Sequence, residues 1–341
     1  MELYVLNSSL EQIAIIDTFK SLLWVTRYFE PGDFELYVPA NSQLLDILKF
    51  GYYLTREDDD TVMLIEKIEI QTDAENGNFF IISGRSLESI LDRRIIWEQT
   101  NVNVKACKAT FTLLQNNVTT PADSDRKIPN FTIDTSSEDL IDGILTQQFT
   151  GNDLLETIVN IAKQFGFGWR IKLVGKSFVY SCYLRGEVDV TFSPEFDNLI
   201  NSNYQCDQKA LKTIALVAGE GEGLARKTAT YGTGSGLARR ELYVDARDIS
   251  SNEEEITEAE YTELLRSRGK EKLNESVISQ NFDGTIEPAT TYVYRTDYNV
   301  GNIVSIENEY GIIAKPRIVE IIESWDDNGY TVVPTFEKWE V

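Results

Sequence analysis

Two glycine-rich runs, Gly219-Glu220-Gly221-Glu222-Gly223 and Gly232-Thr233-Gly234-Ser235-Gly236, are the segments of this 341-residue chain that most invite a phosphate-binding reading. Spacing rejects it. A P-loop needs a second Gly five positions after the first, then Lys and Ser or Thr, and Leu224 stands five positions after Gly219. The dinucleotide pattern GxGxxG fails at Leu224 in the first run and at Leu237 in the second. Both runs are expected to be turns between strands, and Glu220 and Glu222 would repel phosphate. Asp58-Asp59-Asp60 and Asp326-Asp327-Asn328 have the composition of a cation site, but neither has the spaced oxygens and distal Glu of an EF-hand loop, so both are read as solvated turns. A glycosidase needs two carboxylates across a sugar, and with 55 acids any pair can be nominated. Histidine is absent, which removes the commonest general base and zinc ligand. Cys107, Cys182 and Cys206 fit neither a disulfide framework nor a CxxC site, and are expected to be reduced and mostly buried. No catalytic, cofactor-binding or metal-binding residue is assigned, no cofactor is expected, and the chain is not expected to be an enzyme.

Arg226, Lys227, Arg239 and Arg240 are the densest basic group in a chain with 32 Lys and Arg against 55 Asp and Glu. They sit in an internal echo with an offset of 13 residues: Gly221-Glu222-Gly223-Leu224-Ala225-Arg226-Lys227 and Gly234-Ser235-Gly236-Leu237-Ala238-Arg239-Arg240. These four are the candidate subunit interface, bridging to acids such as Asp245 or Asp248 of a neighbour. The plainer alternative is that they are solvated or pair within their own domain. The net charge of −23 repels nucleic acid, so specific nucleic-acid binding is not expected, while a lumen through which DNA slides is compatible with it.

The elements that carry these residues are mostly strands. Residues 1–98 read as several short strands: Leu22 to Tyr28 and Phe34 to Val38 as a hairpin around Pro31-Gly32, an alternating strand from Val62 to Ile70, and a turn at Asn76-Gly77 before a strand from Phe79 to Ile82. Asn41 is expected to cap a short helix that ends at Gly51. Residues 99–188 read as a small α+β domain. Its helix runs from Asn152 to Phe165 and stops at Gly166, ahead of strands Gly168 to Val174 and Ser177 to Leu184. From 189, strands return as a meander over Leu211 to Ala218, Gly223 to Tyr231 and Arg239 to Asp245. Thr257-Glu258-Ala259-Glu260 is a capping box that opens a helix to about Glu275, with Tyr261, Leu264, Leu265 and Leu273 facing inward. Strands are then expected at Tyr292-Val293-Tyr294, Ile303 to Ile306, Ile312-Ile313, Ile318 to Ile322 and Thr331 to Val333, with a hairpin turn at Asn328-Gly329. No apolar run reaches the roughly 18 residues of a membrane span, and Met1-Glu2-Leu3-Tyr4 lacks a basic signal-peptide region.

The run Ser83-Gly84-Arg85-Ser86-Leu87-Glu88-Ser89-Ile90-Leu91-Asp92-Arg93-Arg94-Ile95-Ile96-Trp97 reads locally as a strand ending at Ser83-Gly84. A short helix follows, with Ser86 as N-cap and Leu87, Ile90 and Leu91 on one face. It also resembles the signature of tail-tip or baseplate hub proteins of long-tailed phages infecting Gram-positive bacteria, related to the N-terminal module of tail-associated lysins. Leu23 to Pro39, Leu44 to Gly51, Arg239 to Ile249 and Tyr298 to Val304 are similar to further landmarks of that family, in its order. Asn302 stands where the family usually has Asp.

The resemblance implies a strand-rich α+β fold with two barrel-like tube domains, at 1–98 and 189–341, the second carrying an inserted helix at about 257–275. The small α+β domain at 99–188 and that helix would decorate the outside or close the tip. It implies a homotrimeric ring that mates with the distal tail protein ring, holds the tape-measure protein, meets other tail-tip or receptor-binding proteins, and opens for DNA ejection. The protein would be made in the host bacterial cytoplasm and reside at the virion tail tip. With the chain ending at Glu337-Lys338-Trp339-Glu340-Val341, no appended wall hydrolase is expected. The alternative function is a receptor- or carbohydrate-binding tail module, for which the 16 Tyr, 16 Phe and 5 Trp would supply stacking surfaces.

Overall fold

The structure is a computed structural model and describes residues 1–73, 77–251, 256–286 and 291–337. Asn76 of the expected Asn76-Gly77 turn and the terminal Lys338 to Val341 lie outside the described residues.

The first segment supplies β1 (Leu3–Leu6), β2 (Gln12–Ile16), β3 (Ser21–Arg27), β4 (Asp33–Pro39), the helix α1 (Ser42–Ile47), β5 (Tyr53–Arg56), β6 (Asp59–Asp73) and β7 (Gly77–Ser86). Asn41 caps α1 as expected, its Oδ1 accepting from the Leu44 N–H at 2.8 Å. The middle segment supplies β8 (Thr100–Lys105), α2 (Ala106–Leu114), β9 (Phe131–Ile133), β10 (Ile144–Phe149), α3 (Leu154–Phe165), β11 (Gly168–Val174) and β12 (Ser177–Tyr183). Asp153 caps α3 and Gly166 ends it in the left-handed region at φ 72°. The sequence reading missed α2, whose buried residues include Cys107, Phe111 and Leu114. The last segment supplies β13 (Glu187–Phe192), β14 (Leu199–Asp207), β15 (Ile214–Ala218), β16 (Thr228–Gly232), β17 (Glu241–Asp245), α4 (Glu258–Asn274), β18 (Ser279–Ile286), β19 (Ile303–Glu307), β20 (Ile313–Ala314), β21 (Ile318–Asp326) and β22 (Gly329–Phe336).

Nine strands form one sheet in the order β2-β1-β5-β6-β7-β4-β3-β21-β22. Seven of them, β1 to β7, send side chains into one core, among them Leu3, Trp24, Leu36, Leu54, Met63 and Ile82, so the sheet wraps around it. It does not close: β2 and β22 are its two edges, and no closed barrel is present among the described residues. Pairing also cuts across the expected division at 98 and 188. β21 pairs antiparallel with β3, so the hairpin 318–336 of the last segment completes the first segment's sheet. Alternating apolar strands carry little information about which distant strand they join.

β6 lies between two cores. Val62 and Leu64 face the core shared with the middle segment, while Met63 and Ile65 face the core under the sheet. The expected even alternation through Ile70 breaks at a bulge between Ile65 and Lys67. The extra residue reverses parity, so Ile68 joins Met63 and Ile65 instead of Val62 and Leu64. Opposite the bulge sits Gly84, where an added Cβ would lie 1.9 Å from the Leu64 carbonyl oxygen. The strand therefore runs on through Gly84 to Ser86. Ser86 does not cap the following 3-10 helix (Leu87–Arg93); its hydroxyl accepts from the Gly32 N–H at 2.8 Å and ties that helix to the β3–β4 turn. Leu87, Ile90 and Leu91 are buried as expected.

Three further departures concern the last segment. Tyr292 to Tyr294 forms no strand, only an isolated bridge from Tyr294 to Tyr298. Residues 214–245 are not a meander: β17 pairs parallel with β15, giving the order β16-β15-β17. Buried Asn302 exploits its amide, its Oδ1 accepting from the Asn299 N–H at 2.8 Å and its Nδ2 donating to the Gly186 carbonyl at 3.0 Å. The Asp usual in the resembling family could not donate the second bond.

Candidate assembly surface

The four basic candidates belong to a lobe carried on the β14–β18 ladder. In it, α4 packs on the three-stranded sheet β16-β15-β17 around a small core of its own that includes Ala215, Val217, Val244, Tyr261 and Leu265. The capping box at Thr257 and Glu260 is formed as expected, and Tyr261, Leu264, Leu265 and Leu273 are buried. Gly269 belongs to the same face, because an added Cβ would lie 2.9 Å from Val217 Cγ2.

Both members of the internal echo fold alike. Gly223–Ala225 and Gly236–Ala238 are single 3-10 turns. In each, the Ala N–H bonds back three residues, to Glu222 O at 3.1 Å and to Ser235 O at 3.2 Å. Gly223 (φ 56°) and Gly236 (φ 55°) occupy the left-handed region, which favours glycine. The first loop joins the hairpin β15–β16. The second links β16 to β17 across the opposite end of β15, which is why an echo read as successive hairpins gives one hairpin and one crossover.

Each loop holds one leucine wholly in water. Leu224 and Leu237 have relative exposures of 109% and 103%. The sequence reading missed them because it counted Leu224 as part of a strand. The signal was present in the repeated Gly-Leu-Ala-Arg, an apolar residue directly after a turn glycine in both copies. Between the loops, Leu216 and Tyr243 are cross-strand neighbours on the outer face, and both are exposed.

The four cations all find partners within the chain. Arg226 donates from Nε to Gly219 O at 3.1 Å and from Nη2 to Ala218 O at 3.1 Å, and pairs with Asp245 at 3.0 Å. Lys227 lies 3.8 Å from Glu220, with its ammonium 4.7 Å from the Tyr261 ring centre. Arg239 pairs with Glu241 at 2.6 Å, and Arg240 Nη1 donates to Gln208 O at 2.5 Å. Hydrogen bonds from Arg247, with the charges of Arg247 and Arg226, hold the Asp245 carboxyl below its usual range. Asp248 is engaged by Arg268 at 2.9 Å. In the single chain the basic residues thus brace their own loops.

The acidic turns are ion-paired as well. Asp58 and Asp59 accept from Arg295 at 2.8 and 3.0 Å, Asp60 pairs with Lys172, and Asp327 pairs with Lys20. Beneath them lies Glu323, almost fully buried. It accepts from Arg295 at 2.7 Å, from Arg56 Nη1 at 3.1 Å and from the Tyr330 hydroxyl at 2.8 Å. Arg56 is sandwiched between the rings of Trp24 and Trp325, at 5.3 and 4.5 Å. This cluster joins the Asp58 turn to β21, and no local pattern of residues announces it. Of the cysteines, Cys107 and Cys182 are buried and Cys206 is exposed.

Residues 2–336 match the family model described as Siphovirus ReqiPepy6 Gp37-like protein. Among solved structures, the chain is similar to the prophage MuSo2 43 kDa tail protein from Shewanella oneidensis (16% identity, TM-score 0.62), with 99% of this chain and 98% of that one covered. It is similar to a tail protein from Neisseria meningitidis MC58 (12% identity, TM-score 0.59, 98% and 95% covered). It is also similar to the prophage tail protein gp18 from Listeria monocytogenes EGD-e (13% identity, TM-score 0.57, 99% and 95% covered). A search of curated proteins finds no match.

Proposed function

The chain belongs to the Siphovirus ReqiPepy6 Gp37-like family of phage tail proteins, and from that premise we propose that it is the hub of a siphophage tail tip. In this reading three copies form a ring that mates with the distal tail protein ring, closes the tail channel around the tape-measure protein, and opens for DNA ejection. The wrapped nine-stranded sheet and the strands of the last segment are the two tube-forming parts, and the middle segment and α4 lie outside them. Other tail-tip proteins dock on the outer parts. DNA passes without specific binding, in keeping with the acidic surface. Synthesis is in the host cytoplasm and residence is at the tip of the virion tail.

The observation that carries the reading is the extent of the match, from residue 2 to residue 336, beside likeness to tail proteins over nearly the whole chain. Two features of the chain support an assembled role. Leu224 and Leu237 stand exposed to water on 3-10 turns at opposite ends of β15. Burying a leucine on a partner is favourable by about 1.5–3 kcal/mol. The paired basic residues beside each leucine keep that surface polar until it is covered, which is the role proposed for Arg226, Lys227, Arg239 and Arg240. Among the described residues, no helix is long and apolar enough to cross a membrane.

Gold-labelled antibody against this chain, applied to intact phage particles in the electron microscope, tests the placement. Label confined to the tail tip is expected. Label along the tube, or its absence from particles that contain the chain, contradicts the hub reading.

A further inference from the structure

Where β3, the Asp58–Thr61 turn, the β11–β12 hairpin and the 294–300 segment meet, they enclose a cleft of about 370 Å³. Its two halves are unlike. On one side the Asp58 to Asp60 turn presents carboxylate oxygens, which only accept. On the other side Arg170 and Arg185, which only donate, flank Tyr183, with the Arg170 guanidinium 5.2 Å from the Tyr183 ring centre.

Most arginines of the chain have a carboxylate partner, including the other two in the cleft. Arg27 pairs with Asp33 at 2.7 Å and Glu320 at 2.6 Å, and Arg295 pairs with Asp58, Asp59 and Glu323. Arg170 and Arg185 have none within ion-pair distance among the described residues, and the buried Nε of each lacks a hydrogen-bond acceptor. Thr26 Oγ1, in the same lining, is also buried and unbonded. Three of the five such atoms among the described residues therefore belong to this one cleft. Shortage of acids is not the reason, because the chain carries 55. Glu88 and Asp60, acids whose charge states respond to Arg170, have nearer partners: Glu88 accepts from the Ile171 N–H at 2.8 Å and Asp60 pairs with Lys172. Leaving a buried donor unpaired costs about 1–3 kcal/mol, and a guanidinium fork matches an oxyanion in two-point geometry.

We propose that this cleft binds an anionic saccharide, its carboxylate or phosphate ester seated on Arg170 and Arg185 and its hydroxyls donating to the Asp58–Asp60 turn. The oxyanion pairs with two guanidiniums that lack a carboxylate partner, and the hydroxyls donate to lone pairs of the Asp58–Asp60 carboxylates beyond those already taken by Arg56, Arg295 and Lys172, beside the Tyr183 and Tyr294 side chains of the lining. A neutral sugar would leave Arg170 and Arg185 without a counter-charge, and a bare anion would make no use of the carboxylate oxygens in the lining. The proposal is independent of the hub reading, since a receptor-binding module could carry the same cleft.

The test is saturation-transfer NMR and calorimetric titration of the full chain at fixed ionic strength, with glucose 6-phosphate, glucuronate, glucose and inorganic phosphate as probes. Binding of glucose 6-phosphate or glucuronate, tighter than either glucose or phosphate, is expected. Arg170→Gln and Arg185→Gln should each weaken it by about tenfold or more, with Arg185→Lys weakening it less. Arg266→Gln, on the exposed face of α4, should leave it unchanged. Thermal unfolding of each variant separates lost binding from lost fold, and Arg185→Lys keeps the question answerable if Arg170→Gln misfolds. Binding of phosphate as tightly as glucose 6-phosphate, binding indifferent to both arginines, or no binding of either acidic sugar at millimolar concentration overturns the proposal.

Discussion

Glu323 accepts from two arginines and a tyrosine in the interior. Removing one partner of a buried ion pair strands the other charge, so Glu323→Ala is expected to cost about 3–5 kcal/mol in denaturant unfolding. A loss below about 1 kcal/mol, typical of an exposed pair, would mean that water reaches the cluster. Glu88 makes the opposite case. Burial pushes its carboxyl above the usual range, against hydrogen bonds from Ser86 and the Ile171 N–H and the charge of Arg170. The folded state therefore holds this proton more tightly than the unfolded chain does. Its contribution is present below the unfolded value of about 4.3 and is lost as pH rises through the folded value. Glu88→Gln, which does not titrate, should gain stability relative to the native chain as pH rises across that window. Parallel stability curves for the two proteins would contradict this. Neither role was legible in the sequence: Glu88 sits in a recognised signature and Glu323 just past the strand expected to end at Ile322, but their partners include segments distant in the chain, Ile171 for Glu88 and Arg56 for Glu323.

Among the elements, those governed by local chemistry were readable. Asn41, the Thr257–Glu260 box and Gly166 set helix ends through bonds or backbone angles within a few residues, and each does so in the structure. What escaped were features decided by a partner strand. The β6 bulge is invisible in a pattern that alternates on paper, and Gly84 looks like a strand end until the Leu64 carbonyl is seen against it. The second glycine loop reads as a hairpin until β17 is found beside β15. Gly84→Ala forces the bulge apart, and an unfolding loss of about 3 kcal/mol, the upper part of the range for overfilled interiors, is expected. A variant as stable as the parent would show that the bulge is not held by this close approach.

For the whole molecule, the fold class and family were legible because landmarks recur in order along the chain, whereas the pairing of the last hairpin with β3 was not. The proposed assembly is likewise beyond one chain's sequence, but it has a handle in the two water-exposed leucines. Leu224→Asp with Leu237→Asp should leave the unfolding free energy of the chain within about 0.5 kcal/mol, as for other surface changes, while reducing its association. Unaltered association would remove the loops from the interface.

The most direct test of the hub account is the native mass of the purified 341-residue chain, by light scattering, alone and mixed with the distal tail protein. Three chains of 38.7 kDa, about 116 kDa, or a larger complex with that partner containing three copies, is the predicted result. A particle of one chain in both samples would contradict the ring.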